Sequence, residues 1–193
     1  MKKITYLTLI VVTAMTLTAK AQIQQGNVLV GTDFASFKIG LDKPNVVNIN
    51  LTPTAAWFIA DGIALGGYAN LGIVTAHNSP TTTTYGVGAL GRYYTGSDVS
   101  VLKHGRFFAE GTVGIGGNDV SDGGGSTNGL DLSVGPGFAY FITPNIGLEL
   151  LLKYNGLVGF GSEAYQSNLN LNFGLQIYLP GKATAAKVAG DVK

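Results

Sequence analysis

The chain contains no cysteine, which rules out disulfides, thiolate metal sites and a lipid-modified cysteine anchor. It carries little charge. Only 12% of its 193 residues are Asp, Glu, Lys or Arg, about half the roughly 25% of a soluble domain. There are two histidines, His77 and His104, and the strand pattern described below puts them at opposite ends, which excludes a two-histidine metal site. No segment after the N-terminus is a continuous apolar run of the roughly 20 residues that a membrane-crossing helix needs. Glycine, by contrast, is abundant: 29 residues, about twice its usual share of roughly 7%.

The N-terminus reads as a secretory signal peptide over residues 1–21. Lys2 and Lys3 form a basic start, residues 4–18 are uncharged, and Ala19-Lys20-Ala21 supplies a small-x-small cleavage pattern. Cleavage is expected before Gln22. The uncharged stretch is too short for a span and holds five threonines. The 172 residues that remain make one domain. They carry 9 Lys+Arg against 11 Asp+Glu, so nothing in the charge balance points to nucleic acid. Export, low charge and the lack of a spanning helix together indicate a β-barrel.

Alternation with a period of two supports this reading. In residues 168–179, Leu169, Leu171, Phe173, Leu175, Ile177 and Leu179 share one face. Asn168, Asn170, Asn172, Gly174, Gln176 and Tyr178 share the other. Seven more segments repeat the pattern, at 26–39, 46–58, 63–75, 82–94, 105–116, 128–141 and 145–158. The expected fold is all-β: an eight-stranded antiparallel up-and-down transmembrane barrel over residues 22–179, with a short tail at 180–193. Ala60-Asp61-Gly62 and Thr143-Pro144-Asn145 read as tight turns. The links at 41–45, 76–81, 117–127 and 159–166 read as looser, and the two kinds alternate as periplasmic turns and outer loops do. The long link at 95–104 is the exception.

Alternation does not say which face is outside, because a soluble barrel turns its apolar side inward. Charge placement does. Arg92, Glu110, Asp131, Glu149 and Lys153 all fall on the face opposite the apolar residues, together with Gly66, Gly86, Gly88, Gly114, Gly116, Gly135, Gly137 and Gly174. A soluble exterior would be rich in Lys and Glu. An eight-stranded interior holds only side chains, and glycines leave room for long ones such as Arg92, Lys153 and Tyr68. Aromatic residues add a second indication. Trp57, Tyr93, Phe107, Tyr140 and Tyr178 lie at strand ends on the periplasmic side, as a girdle at a membrane boundary would. Phe34, Tyr85 and Tyr154 lie toward the other boundary.

With these features the chain resembles the small outer-membrane β-barrel group that includes the OmpA transmembrane domain and OmpX-like barrels. The resemblance rests on the signal peptide, the eight strands and three signatures. These are Ala56-Trp57-Phe58-Ile59-Ala60-Asp61-Gly62-Ile63-Ala64-Leu65-Gly66, Gly91-Arg92-Tyr93-Tyr94, and Gly137-Phe138-Ala139-Tyr140-Phe141-Ile142-Thr143-Pro144-Asn145. It implies a Gram-negative outer-membrane location, contact with membrane lipid and lipopolysaccharide, insertion by the barrel-assembly machinery, and a monomer. Such barrels commonly end on an aromatic residue. Here Ile177-Tyr178-Leu179 stands in an internal position, since the tail continues to Lys193.

Candidate chemistry is sparse. Gly86-Val87-Gly88-Ala89-Leu90-Gly91 matches a dinucleotide-binding string, but it sits within a strand with no helix behind it to hold phosphate. His77-Asn78-Ser79 pairs a base and a nucleophile only as loop neighbours, a poor arrangement for catalysis. Asp119, Asp122 and Asp131 could offer loose Ca²⁺ ligands, against the plainer reading of a solvated loop. No catalytic, cofactor or metal residue is assigned. The inward charges Arg92, Glu110, Glu149 and Lys153 are expected to form an interior network, because charges away from water need partners. Two functions fit: a structural or surface-interaction barrel without catalytic activity, with a surface ligand left open, or a narrow pore or path for small hydrophobic molecules.

Overall fold

The computed structural model describes residues 23–35, 38–39, 46–76, 80–96, 104–121, 125–160 and 165–181. The expected signal peptide, His77, Asp122 and the tail beyond Gly181 lie outside the described residues. Eight strands build the molecule: β1 (Val28–Ala35), β2 (Val46–Ala60), β3 (Ile63–Ala76), β4 (Thr82–Tyr94), β5 (Gly105–Val120), β6 (Ser126–Thr143), β7 (Ile146–Gly159) and β8 (Tyr165–Leu179). The two-residue segment Lys38–Ile39 continues β1 along the same edge of β2.

Every strand pairs antiparallel with its sequence neighbours, and β1 also pairs with β8. The sheet is therefore a closed barrel. Val28 shows the closure directly, facing Trp57 on one side and Leu179 on the other. A closed ladder leaves no unpaired edge. Two prolines interrupt it locally, since proline has no N–H to donate. Pairing of β2 with β3 skips Thr52 and Pro53, and pairing of β6 with β7 skips Gly135 and Pro136.

The first and last described residues, Ile23 and Gly181, and the two tight turns lie at one end of the barrel, here the terminal end. The turns repeat one design. Phe58 and Phe141 are buried, each is followed by a register shift, and Asp61–Gly62 or Pro144–Asn145 then reverses the chain. Gly62 takes a φ of 74°, a left-handed conformation that suits glycine. Thr143 Oγ1 accepts from the Ile146 amide at 3.0 Å. Residues 23–27 fold across the first turn, where the Gly62 amide donates to the Ile23 carbonyl and the Gln25 amide to Asp61 Oδ1, both at 2.8 Å.

At the opposite, loop end, the strands run further than alternation indicates. The link expected at 117–127 is largely strand, with Asn118 facing Thr127 and Asp119 facing Ser126. Backbone pairing does not need an apolar face, so the ladder continues after the apolar alternation stops. β8 likewise begins at Tyr165, ahead of the expected Asn168.

The two faces of the barrel differ sharply. Thirty-one large apolar or aromatic side chains are exposed on the described surface, far more than a water-facing exterior carries as a continuous patch. Of the charged side chains described in the strands, Asp33, Arg92, Arg106, Glu110, Glu149 and Lys153 are buried and Asp131 is half-buried. Asp119, near the loop end of β5, is exposed.

Glycines set the shape of the interior. A methyl group at Gly137 would fall on the ring of Phe108, and one at Gly88 would meet the Tyr68 ring and the backbone of β5. Phe108 and Tyr68 thus each lie over an inward glycine on another strand. Gly137→Ala is expected to cost about 1–3 kcal/mol by overpacking, read as a lower urea midpoint of the refolded barrel. Adding Phe108→Leu should recover part of that loss. A Gly137→Ala midpoint equal to the parent's would show that the ring has room to move.

Candidate functional site in the barrel interior

The lumen is built in layers, because each inward position along a strand lies at its own height. Nearest the terminal end, Phe58, Tyr94, Phe108, Phe141 and Tyr178 are all buried. Their rings pack across the lumen: Tyr94 is 5.3 Å from Phe108, Phe141 is 5.1 Å from Tyr178, and Phe58 is 5.8 Å from Tyr94 and 6.3 Å from Tyr178. The rings come from five different strands, so the layer forms a floor, and contacts of this kind add to the area they bury.

Above the floor lies the charged layer. The Arg92 guanidinium, from β4, meets Glu110 of β5 through Nε at 2.5 Å and Glu149 of β7 through Nη1 at 2.7 Å. Nη2 lies 3.8 Å from Asp33 Oδ2 of β1. That is an ion pair too long for a hydrogen bond. Lys153 Nζ lies 2.8 Å from Glu110 Oε1. Tyr178 donates to Glu149 Oε1 at 2.7 Å, and Gln176 Nε2 donates to Asp33 Oδ1 at 2.9 Å. The two tyrosine hydroxyls, of Tyr94 and Tyr178, are 3.1 Å apart, which ties the charges to the floor. Arg92 also lies 4.9 Å from the centre of the Phe108 ring, a favourable position for a cation.

The four residues expected to form a network, Arg92, Glu110, Glu149 and Lys153, are thus in contact. Asp33, Tyr94 and Gln176 join them from outside the expected set. The strand frame supplies a signal for each. Asp33 shares the inward face with Leu29 on β1, Tyr94 with Arg92 on β4, and Gln176 with Asn172 on β8. Arg106 is buried at the terminal end, where Nη1 donates to the Gly105 carbonyl at 2.7 Å.

The expected girdle needs one correction. Trp57, Tyr93, Phe107 and Tyr140 point outward and are exposed at the terminal end, but Tyr178 is 1% exposed and sits inside the lumen. Its inward parity with Gln176 and Asn172 outweighs its nearness to the strand end. The glycine-rich string at 86–91 lies within β4 with no helix behind it. His104 is exposed beside Tyr140. Among the described residues no group of three or more His, Asp or Glu could hold a metal ion. Asp131 accepts from the Tyr68 hydroxyl at 2.9 Å.

The described residues form a closed antiparallel barrel of eight strands with apolar residues outside and ion pairs inside, and solved structures with this fold include small outer-membrane barrels. Neisserial surface protein A superposes with a TM-score of 0.57 at 17% identity, covering 78% of this chain and 95% of its own. The N-terminal barrel domain of Pseudomonas aeruginosa OprF superposes with a TM-score of 0.52 at 14% identity, covering 80% and 98%. At these identities the likeness is one of fold. No family model and no curated protein matches the sequence.

Removing Arg92 would leave Glu110 and Glu149 buried without their main counter-charge. Arg92→Ala is therefore expected to lose about 3–5 kcal/mol in urea unfolding. The triple change Arg92→Met, Glu110→Gln, Glu149→Gln should lose much less, because it removes the stranded charges as well. Equal losses in the two variants would show that packing, not charge, holds this layer.

Proposed function

We propose that the protein is an integral barrel of a Gram-negative outer membrane, with a structural or surface-interaction role and no catalytic activity. Its exposed apolar belt calls for lipid around it. A barrel that satisfies its own backbone is one of the two forms able to cross hydrocarbon. The terminal end then faces the periplasm and the loop end faces outward, as in barrels with short inner turns. Lipid and the inner part of lipopolysaccharide are the partners this surface fits, and the barrel-assembly machinery is the route of insertion. Closure of β1 on both β2 and β8 leaves no full-length free edge among the described residues through which copies could pair, which supports a monomer.

The aromatic floor is the observation that carries this reading over a pore. Five packed rings, backed by a salt-bridged layer, stand where a continuous water path would run. Single-channel recording of the refolded protein in planar bilayers is expected to show no steady openings. Steady conductance that changes when Arg92 or Lys153 is replaced would favour the pore instead. The membrane setting has its own test. Val134 is 60% exposed on β6, and Val134→Arg is expected to cost about 2–4 kcal/mol of folding free energy in lipid vesicles. A soluble barrel would tolerate it at little cost.

A further inference from the structure

We propose that the terminal mouth of the barrel, beneath the aromatic floor, is a binding site for a small organic monocarboxylate held by Arg106. The proposal rests on the function proposed above only for the side from which the ligand arrives.

The chain has two arginines and buries both, in different surroundings. Arg92 stands among Asp33, Glu110 and Glu149. Arg106 is 6% exposed, yet no carboxylate of the described residues lies within ion-pair distance of it. Its Nη1 donates to the Gly105 carbonyl, and its Nε is buried without an acceptor. Nη2 has no bond within the protein and is not cut off from the surrounding space. A guanidinium taken out of water needs acceptors and negative charge around it. Arg106 has one carbonyl.

The space beside it is a cavity of about 340 Å³, lined by Arg106 with Ile23, Gln24, Asp61, Tyr93 and Thr95 among others. Arg106 precedes Phe108 on the inward face of β5, so the cavity lies on the terminal side of the floor. One wall is held in place by the chain itself. The bonds from Gly62 to Ile23 and from Gln25 to Asp61 pin residues 23–27 across the first turn.

The wall selects the ligand class. With Nε cut off and one Nη1 proton engaged, Nη2 and the second Nη1 proton remain as an end-on pair of donors. Two donors side by side match the two oxygens of a carboxylate. Asp61 lines the same cavity and opposes a second negative charge, which disfavours a phosphate dianion. Ile23 and Tyr93 offer carbon surface that an inorganic ion would leave unused. An acid the size of an acylated amino acid meets these limits. It would bind beneath five packed rings, so the lumen stays closed above it.

The test uses the refolded mature chain in dodecyl maltoside micelles, whose uncharged headgroup does not compete for the arginine. Backbone amides of Gly62, Thr95 and Gly96, which border the cavity, are followed by ¹⁵N–¹H NMR at constant ionic strength. The probes are N-acetylalanine, its uncharged amide and inorganic phosphate. N-acetylalanine is expected to give saturable shifts at these residues, with half-saturation on the order of millimolar. The amide should give none, and phosphate should bind more weakly. Arg106→Gln should raise the half-saturation for N-acetylalanine about tenfold or more, as the loss of a hydrogen bond to a charged group implies. Asp61→Asn keeps an acceptor for the Gln25 amide and should strengthen phosphate binding severalfold. It decides the matter should the Arg106 variant not refold.

No saturable shift with N-acetylalanine up to about 100 mM, a range that covers affinities well weaker than millimolar, would overturn the proposal. So would an equal response to the amide, tighter binding of phosphate, unchanged half-saturation in Arg106→Gln, or phosphate binding that Asp61→Asn leaves as it was. None of these results bears on membrane residence or conductance. Steady bilayer conductance would count against the proposed function without touching this binding test.

Discussion

The interior is organised around one guanidinium. Arg92 is 2% exposed, and a planar cation cut off from water must find acceptors in several directions at once. It finds them on β5, β7 and, at longer range, β1. Arg92 therefore links strands that are far apart around the barrel wall, whereas the backbone ladder joins only neighbours. Three carboxylates stand against two cations in this layer. The hydroxyl of Tyr178 and the amide of Gln176 supply the further donors that the excess negative charge requires.

The layer depends in turn on how little room eight strands enclose. Large inward groups fit only where the facing positions are small. Phe108 rests over Gly137, and Tyr68 rests over Gly88 and Gly114. The glycine content that stands out in the composition is thus the counterpart of a few long side chains. Along the axis, the same economy produces a gradient from aromatic floor to ion pairs to an amide-lined cavity. The two ends are chemically different.

Much of this could be read along the chain. Period-two alternation located all eight strands, and its parity put Arg92, Glu110, Glu149 and Lys153 on one face and Trp57, Tyr93, Phe107 and Tyr140 on the other. Tyr178 lies at a strand end yet obeys parity, and the Asn168 to Tyr178 series places it inward. The 117–127 link is shorter than alternation indicates, because alternation reports side-chain burial while pairing of Asn118 with Thr127 is a property of the backbone. Asp33 is less legible along the chain because β1 alternates less clearly than the other strands.

The sequence by itself determined the strand count, the inward or outward sense of most side chains, and the contrast between a nearly charge-free exterior and a glycine-rich interior. These follow from local geometry, since successive residues on a strand face opposite sides. The tertiary structure alone decided which inward residues meet. Closure of β1 on β8 and the stagger between strands set the height of each residue in the lumen, and so brought Arg92 to Glu149 across a gap that no spacing along the chain encodes. The floor of five rings arises in the same way, from positions that share a level only once the barrel is closed.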